Sequence, residues 1–406
     1  MTSTGPNLRF RIARELAKRA HDLSKAAGIH LPSLIRSMVT FMRVENSSPD
    51  QQDSVRARFA AASNLDTYEP RYWAEMTPFL DAEVAIAMLH QTVADATTWL
   101  ANTATEGKQA GAREEEVQRV TSERAEACSL LRKFDPEDGE SVARVFERFR
   151  TSHDKLTAAA PNQIGQLQLS KDELDAIYEH RIRPDVLSWG TASSSPAAVL
   201  VVGQAGAAVL STAARLRRQI TLETGEMVVL SDDRLRPYHP AWRTGQGGEP
   251  LHAGSVHSDI DYWFERIVND AGRMGMHLQI AMEPRNPLTV HRMAAALRDG
   301  GYTVQAVFVV THSDDSALDA TAQFERVRAL GLPSRFVLEK EHDMGLFNFR
   351  LAVGVVEQYR SVDELQLVSS DAREHHGNSL LHGEWHRPPT ARTALDALQK
   401  RMRSPK

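Results

Sequence analysis

Cysteine is almost missing from this sequence. Cys128 is the only one in 406 residues, which excludes an internal disulfide framework and a cysteine-based zinc cluster. It lies in the helical-looking run Ala125 to Lys133, where a buried structural thiol is expected rather than a nucleophile. So little cysteine fits a reducing compartment. Long apolar runs are also missing: no stretch approaches the roughly 18 residues of a membrane span. The opening MTSTGPNLRFRIARELAKRA has no uninterrupted apolar core, so no secretory signal is expected. A strong excess of one charge is absent too. The net charge of -5 supplies no basic field, which argues against nucleic acid as the main partner. Histidines are plentiful, but none has zinc-ligand spacing, so no metal site is expected. These absences predict a soluble, cytoplasmic protein unless a specialised export system reads the N-terminus. Its 42% hydrophobic content is enough for a sizeable core.

What is present divides in two. Residues 1–160 read as helices only, an all-α N-terminal domain. LRFRIARELAKRAHDLSKAAG, LPSLIRSMVTFMRVE, DAEVAIAMLHQTVADATTWLAN, GAREEEVQRVTSERAEACSLLRKF and PEDGESVARVFERFRTSHDKL each repeat apolar residues at helical spacing. From LSKDELDAIYEHRIRPDVL onward the character changes. Ser170 with Glu173 three residues on is a capping-box pattern. After the small-residue stretch SWGTASSSP, apolar strands alternate with amphipathic helices: AAVLVV, EMVVLSD, HLQIAM and YTVQAVFVVT are the strands. This alternation predicts an α/β fold, a parallel sheet with helices on both faces, over residues 161–375. Residues 376–406 read as a tail ending in a basic helix.

In an open parallel sheet, ligands bind beyond the carboxyl ends of the strands. The first strand runs into Gly203-Gln204-Ala205-Gly206-Ala207-Ala208, close to the phosphate-loop pattern G-x-x-x-x-G-K-[ST]. The lysine position holds Val209 and the hydroxyl position Leu210. On spacing alone, a plain strand–turn–helix is favoured over a working nucleotide site. The second strand ends in Asp232 and Asp233, a candidate proton acceptor or metal ligand, or else simply a helix cap. The third ends in AMEPRNP, where Arg285 could grip a phosphate or carboxylate in a bidentate fork, or pair with a neighbouring acid. Glu265 lies on the preceding helix, and Arg335 in LPSRFVLEKEHD could reach the same cleft.

Taken together, over residues 165–370, these stretches resemble the zeta toxin family of P-loop kinases. VVGQAGAAVLST is similar to its GQPGSGKT-type loop, matching at Gly203, Gln204 and Gly206; VVLSDDRLRPYHPAW is similar to its strand, Asp, basic residue and His-Pro pattern; QFERVRALGLPSRFVLEKEHD is similar to its lid. The resemblance implies a P-loop kinase-like parallel sheet, ATP and Mg²⁺ as cofactors, and γ-phosphoryl transfer to a sugar hydroxyl of UDP-N-acetylglucosamine or a related UDP-sugar. It implies Asp233 as catalytic base. Glu265, Glu283 and Arg285 become substrate-binding positions, and Gly203, Gln204, Gly206, Ala208, Val209, Leu210 and Arg335 nucleotide-binding positions. An antitoxin or another protein is the implied partner, with no nucleic acid and no membrane.

The departures from the family pattern cluster on the ATP side. Besides Val209 and Leu210, Ala281 stands where the family has a strand-end Glu, and Gln323 where it has the first lid Arg. Phosphoryl transfer relies on electrostatics and positioning. The leading expectation is therefore a zeta-toxin-like domain with lost or impaired kinase activity, still able to bind a nucleotide or UDP-sugar. An active divergent kinase, serving as toxin or effector with Arg215, Arg217 or an arginine of the helical domain supplying the missing charge, is one alternative. A protein-interaction or regulatory scaffold is the other.

Overall fold

The computed structural model describes residues 70–105, 112–149, 168–244, 251–252 and 256–402. The first two helices expected from sequence lie outside the described residues. The next three are observed as α1 (Pro70–Thr105), α2 (Ala112–Lys133) and α3 (Gly139–Phe149).

The capping box forms as expected. Ser170 accepts from the Glu173 amide and the Glu173 carboxylate accepts from the Ser170 amide, starting α4 (Lys171–Ile177). A π turn (Tyr178–Ile182) and the short α5 (Arg183–Val186) lead to the sheet. The strands and helices then alternate: β1 (Ala197–Val202), α6 (Val209–Thr224), β2 (Val228–Ser231), α7 (Asp232–Leu235), α8 (Pro240–Thr244), β3 (Leu251–His252), α9 (His257–Arg273), β4 (Leu278–Met282), α10 (Pro287–Asp299), β5 (Thr303–Val309), α11 (Ser313–Ala329), β6 (Arg335–Phe336), α12 (Glu339–Gln358), β7 (Glu364–Val368), β8 (Glu374–Leu381), β9 (Glu384–Trp385) and α13 (Ala391–Met402).

The main sheet has the order β2-β4-β1-β5-β7-β8-β9, and β3 pairs with β6 separately. β2, β4, β1, β5 and β7 are mutually parallel, while β8 and β9 add an antiparallel edge. This edge is the part that sequence reading passed over: β7 alternates its apolar residues, and β8 and β9 carry few. β1 is central and apolar throughout because both of its faces are covered. Ala198, Leu200 and Val202 join the core beneath α9, α10, α12 and α13, while Val199 and Val201 join a second core beneath α6.

The helical layer is packed onto this α/β unit. Residues 80–98 of α1 are buried almost all round, between α2 and α3 on one side and α6, α7 and α11 on the other. Leu80, Val84, Met88 and Leu89 share one core with Trp189, Ala214, Val229 and Val327. Asp185 supplies the polar anchor. Its carboxylate accepts from Arg124 of α2 at 3.0 Å, from Arg234 at 3.2 Å and from the Tyr238 hydroxyl at 2.9 Å. Arg217 of α6 donates to the Leu131 carbonyl at 2.6 Å. Cys128 is half-buried against the helical core, with burial pushing its thiol pKa up, as befits a structural residue.

Candidate functional site

The loop from Gly203 to Ala208 joins the central strand to α6 and has a phosphate-loop backbone. Gly206 has φ +73°, and a Cβ there would stand 1.9 Å from the Ser316 carbonyl oxygen, so only glycine fits. Ala208 also has positive φ, at 54°, where the phosphate-loop pattern has its second glycine. Gln204 is fully buried, and its amide donates to the Thr311 carbonyl and to Ser316 Oγ.

A helix that follows such a loop presents free N–H groups to an anion. Here the anion comes from the chain itself. Glu83 of α1 reaches over the start of α6, and its Oε1 accepts from the Ser211 N–H at 2.7 Å. Burial pushes the Glu83 pKa up to about 7, even though the hydrogen bond from Ser211 favours the charged form. The hydroxyls one and two places late for Mg²⁺ are committed elsewhere: Ser211 Oγ donates to the Ala208 carbonyl, and Thr212 Oγ1 to the Ser370 carbonyl. The loop and its surroundings therefore do not fit a Mg²⁺–triphosphate. The lysine position is apolar, the metal hydroxyl is missing and a carboxylate occupies a helix N–H.

Beyond the loop lies a cleft of about 70 Å³, walled by five carboxylates (Glu83, Asp232, Asp233, Glu283, Asp319) and two guanidiniums (Arg236, Arg335). The ends of β2 and β4 supply most of them, as the topology requires. Arg335 forms a bidentate fork with Glu283, both arms at 2.8 Å. Arg236, 1% exposed, pairs with Asp233 and, at 3.4 Å, with Asp232. Arg285 bridges Asp232 and Asp261, the latter at 2.7 Å. Burial works to raise the pKa values of Asp232 and Glu283, but their arginine partners win and hold both carboxyls low. Among the described residues Asp319 has no such partner. Burial, together with the charges of Asp315 and Glu83, raises it to about 8. His257 is driven down to about 4 by burial and by the Arg285 and Arg236 charges, so it is neutral beside these arginines. Among the described residues no group of three or more His, Cys, Asp or Glu could hold a metal ion.

The structure brings most of the expected residues together. Gly206, Gln204, Ala208, Val209, Leu210, Asp233, Glu283 and Arg335 line the one cleft. Gly203 packs beneath it, against Val209. Arg285 joins through Asp232. Glu265 is exposed on α9, and Asp261, one turn earlier, takes the position beside Arg285. Arg215 and Arg217 are engaged by other groups: Arg215 donates to the Ser370 carbonyl and pairs with Glu137, with the Glu83 charge also acting on it, and Arg217 donates to the Leu131 carbonyl. Sequence reasoning missed Glu83, Asp319, Asp261 and His257. Asp261 and His257 could have been found as polar residues on the helix before β4. Glu83 carried no such signal, standing 128 residues from the group it contacts.

A glycine loop after the central strand of a parallel sheet, acids at the neighbouring strand end and a lid-side arginine define an α/β domain of the P-loop kinase-like class. Residues 186–383 match the family model described as Zeta toxin. A solved structure from the PezAT chromosomal toxin-antitoxin system of the human pathogen Streptococcus pneumoniae is 19% identical. It aligns over 58% of this chain and 98% of its own, with a TM-score of 0.46. No curated protein matches the chain.

Proposed function

We propose that this zeta-toxin-like domain has lost ATP-dependent kinase activity and serves as a binding domain whose phosphate loop is closed from within by the helical layer. One observation carries the reading: the N–H that would meet a phosphate instead donates to the Glu83 carboxylate at 2.7 Å. A phosphate entering the loop must displace that carboxylate or sit beside it. With its pKa at about 7, Glu83 takes up a proton at little cost at neutral pH, so the obstacle is the occupied N–H and the buried side chain across the loop, not a full like-charge repulsion. Nothing in the loop offsets this, because Val209 has replaced the lysine and both nearby arginines are already paired with carboxylates.

A nucleotide or UDP-sugar could be held only on the substrate side, by Arg285 and its neighbours. A separate antitoxin is the partner the family name suggests. Here α1 already lies across the loop, and the Asp81–Arg326 pair ties it to α11. The test is to incubate the full chain with MgATP and UDP-N-acetylglucosamine. No phosphorylated product is expected. Product formation that Asp233→Asn abolishes would overturn the proposal and restore the reading of an active divergent kinase.

A further inference from the structure

We infer that the cleft between α1, α6 and α11 binds a compact organic cation, a primary ammonium or amidinium group held by Asp319, Gln204 and Glu83. The inference rests on the reading above, that the loop does not hold a triphosphate, and names the ligand class that the site takes instead.

Pairing off the charges leads to it. Arg335 is matched by Glu283, and Arg236 by Asp233 and Asp232. Asp319 and Glu83 are left over: among the described residues neither forms a salt bridge, and Arg215 reaches Glu83 only through its charge. Two fully buried acceptors on this wall are without a hydrogen bond: Asp319 Oδ1 and Gln204 Oε1. The Gln204 amide nitrogen is fixed by Thr311 and Ser316, which defines which end of the side chain is the free acceptor. A buried acceptor left unpaired is costly, and a ligand that donates hydrogen bonds relieves it. A neutral donor would leave the two carboxylates uncompensated, and an anion would add repulsion. An ammonium or amidinium meets both demands.

Size agrees. The cleft of about 70 Å³ has room for roughly five water-sized groups. That suits a charged head and a short stem. A neighbouring pocket of about 80 Å³, which shares Gly206, Asp233, Gln323 and the Glu283–Arg335 pair with it, extends the path for an apolar stem. The raised carboxyls of Glu83 and Asp319, at about 7 and about 8, are the expected state of such a site before its cation arrives.

The test is calorimetry and thermal shift on the full chain with agmatine and putrescine as probes, 1,4-butanediol as the neutral control, and MgATP as a separate arm. Saturable binding of agmatine or putrescine is expected, with no response to butanediol. Asp319→Asn, which keeps the shape of the side chain and removes its charge, is expected to weaken the amine at least about tenfold. Amine binding that Asp319→Asn leaves unchanged overturns the inference. So does the absence of amine binding when MgATP is also silent, which leaves the reading of a closed loop standing. Binding of MgATP overturns that reading itself, and the inference with it.

Discussion

Replacing Glu83 by Gln tests the closed loop through its pH dependence. The amide keeps an oxygen for the Ser211 N–H but cannot ionise. The Glu83 carboxyl has a folded pKa of about 7 against an ordinary 4.5, raised chiefly by burial. The folded state therefore holds this proton more tightly than the unfolded chain does. Below about 4.5 burial carries no ionisation penalty, and the penalty grows as pH rises through 7. The gap amounts to about 3 kcal/mol at pH 8 and about 1 kcal/mol at pH 5. Glu83→Gln should thus stabilise the chain by about 2 kcal/mol more at pH 8 than at pH 5. For a protein of this size that is a rise in relative Tm of about 2 °C. Thermal melts of both proteins from pH 5 to pH 8 measure it. A difference in Tm that is flat with pH, or that narrows as pH rises, would refute the placement of an ionisable, buried carboxyl at the start of α6.

Other substitutions probe the neighbouring steps. Ala208 holds a left-handed backbone, φ 54°, in the place of a glycine. Ala208→Gly is expected to stabilise the fold by about 1 kcal/mol, read by urea melts. Asp185→Ala leaves the buried Arg234 without its carboxylate and should cost about 3–5 kcal/mol, with α2 losing its anchor to the α/β unit. Val209→Lys combined with Leu210→Thr restores the loop side chains but leaves Glu83 in place. MgATP binding by calorimetry should stay undetectable until Glu83→Ala is added, and binding by the double variant alone would show that Glu83 is no competitor.

Much of the α/β unit was legible because its physics is local. AAVLVV is a short apolar run between a proline and a glycine, and it became β1 over those same residues. Ser170 and Glu173 cap a helix within one turn of chain, so their types and spacing suffice. The loop announced itself through Gly203 and Gly206, and the strand-end acids gathered where the parallel topology puts them. The antiparallel edge was not legible, since β8 (EHHGNSLL) is largely polar and offers little of the alternation that marks a half-buried strand. Glu83 was the most consequential omission. It lies within DAEVAIAMLHQTVADATTWLAN, a segment buried nearly all round, so periodicity did not separate a face that seals the loop from one that merely packs. Only the tertiary contact across the chain gives that residue its meaning. The same contact changes how Val209 and Leu210 read: beyond losing a lysine and a hydroxyl, they line a cleft with an acid above it.

The most direct measurement is a calorimetric titration of the full chain with ATP in the presence of Mg²⁺ at neutral pH. With the Ser211 N–H held by Glu83 and no unpaired cation in the loop, no binding heat is expected up to millimolar nucleotide. Mg²⁺-dependent binding in the micromolar range would contradict a loop closed by its own carboxylate.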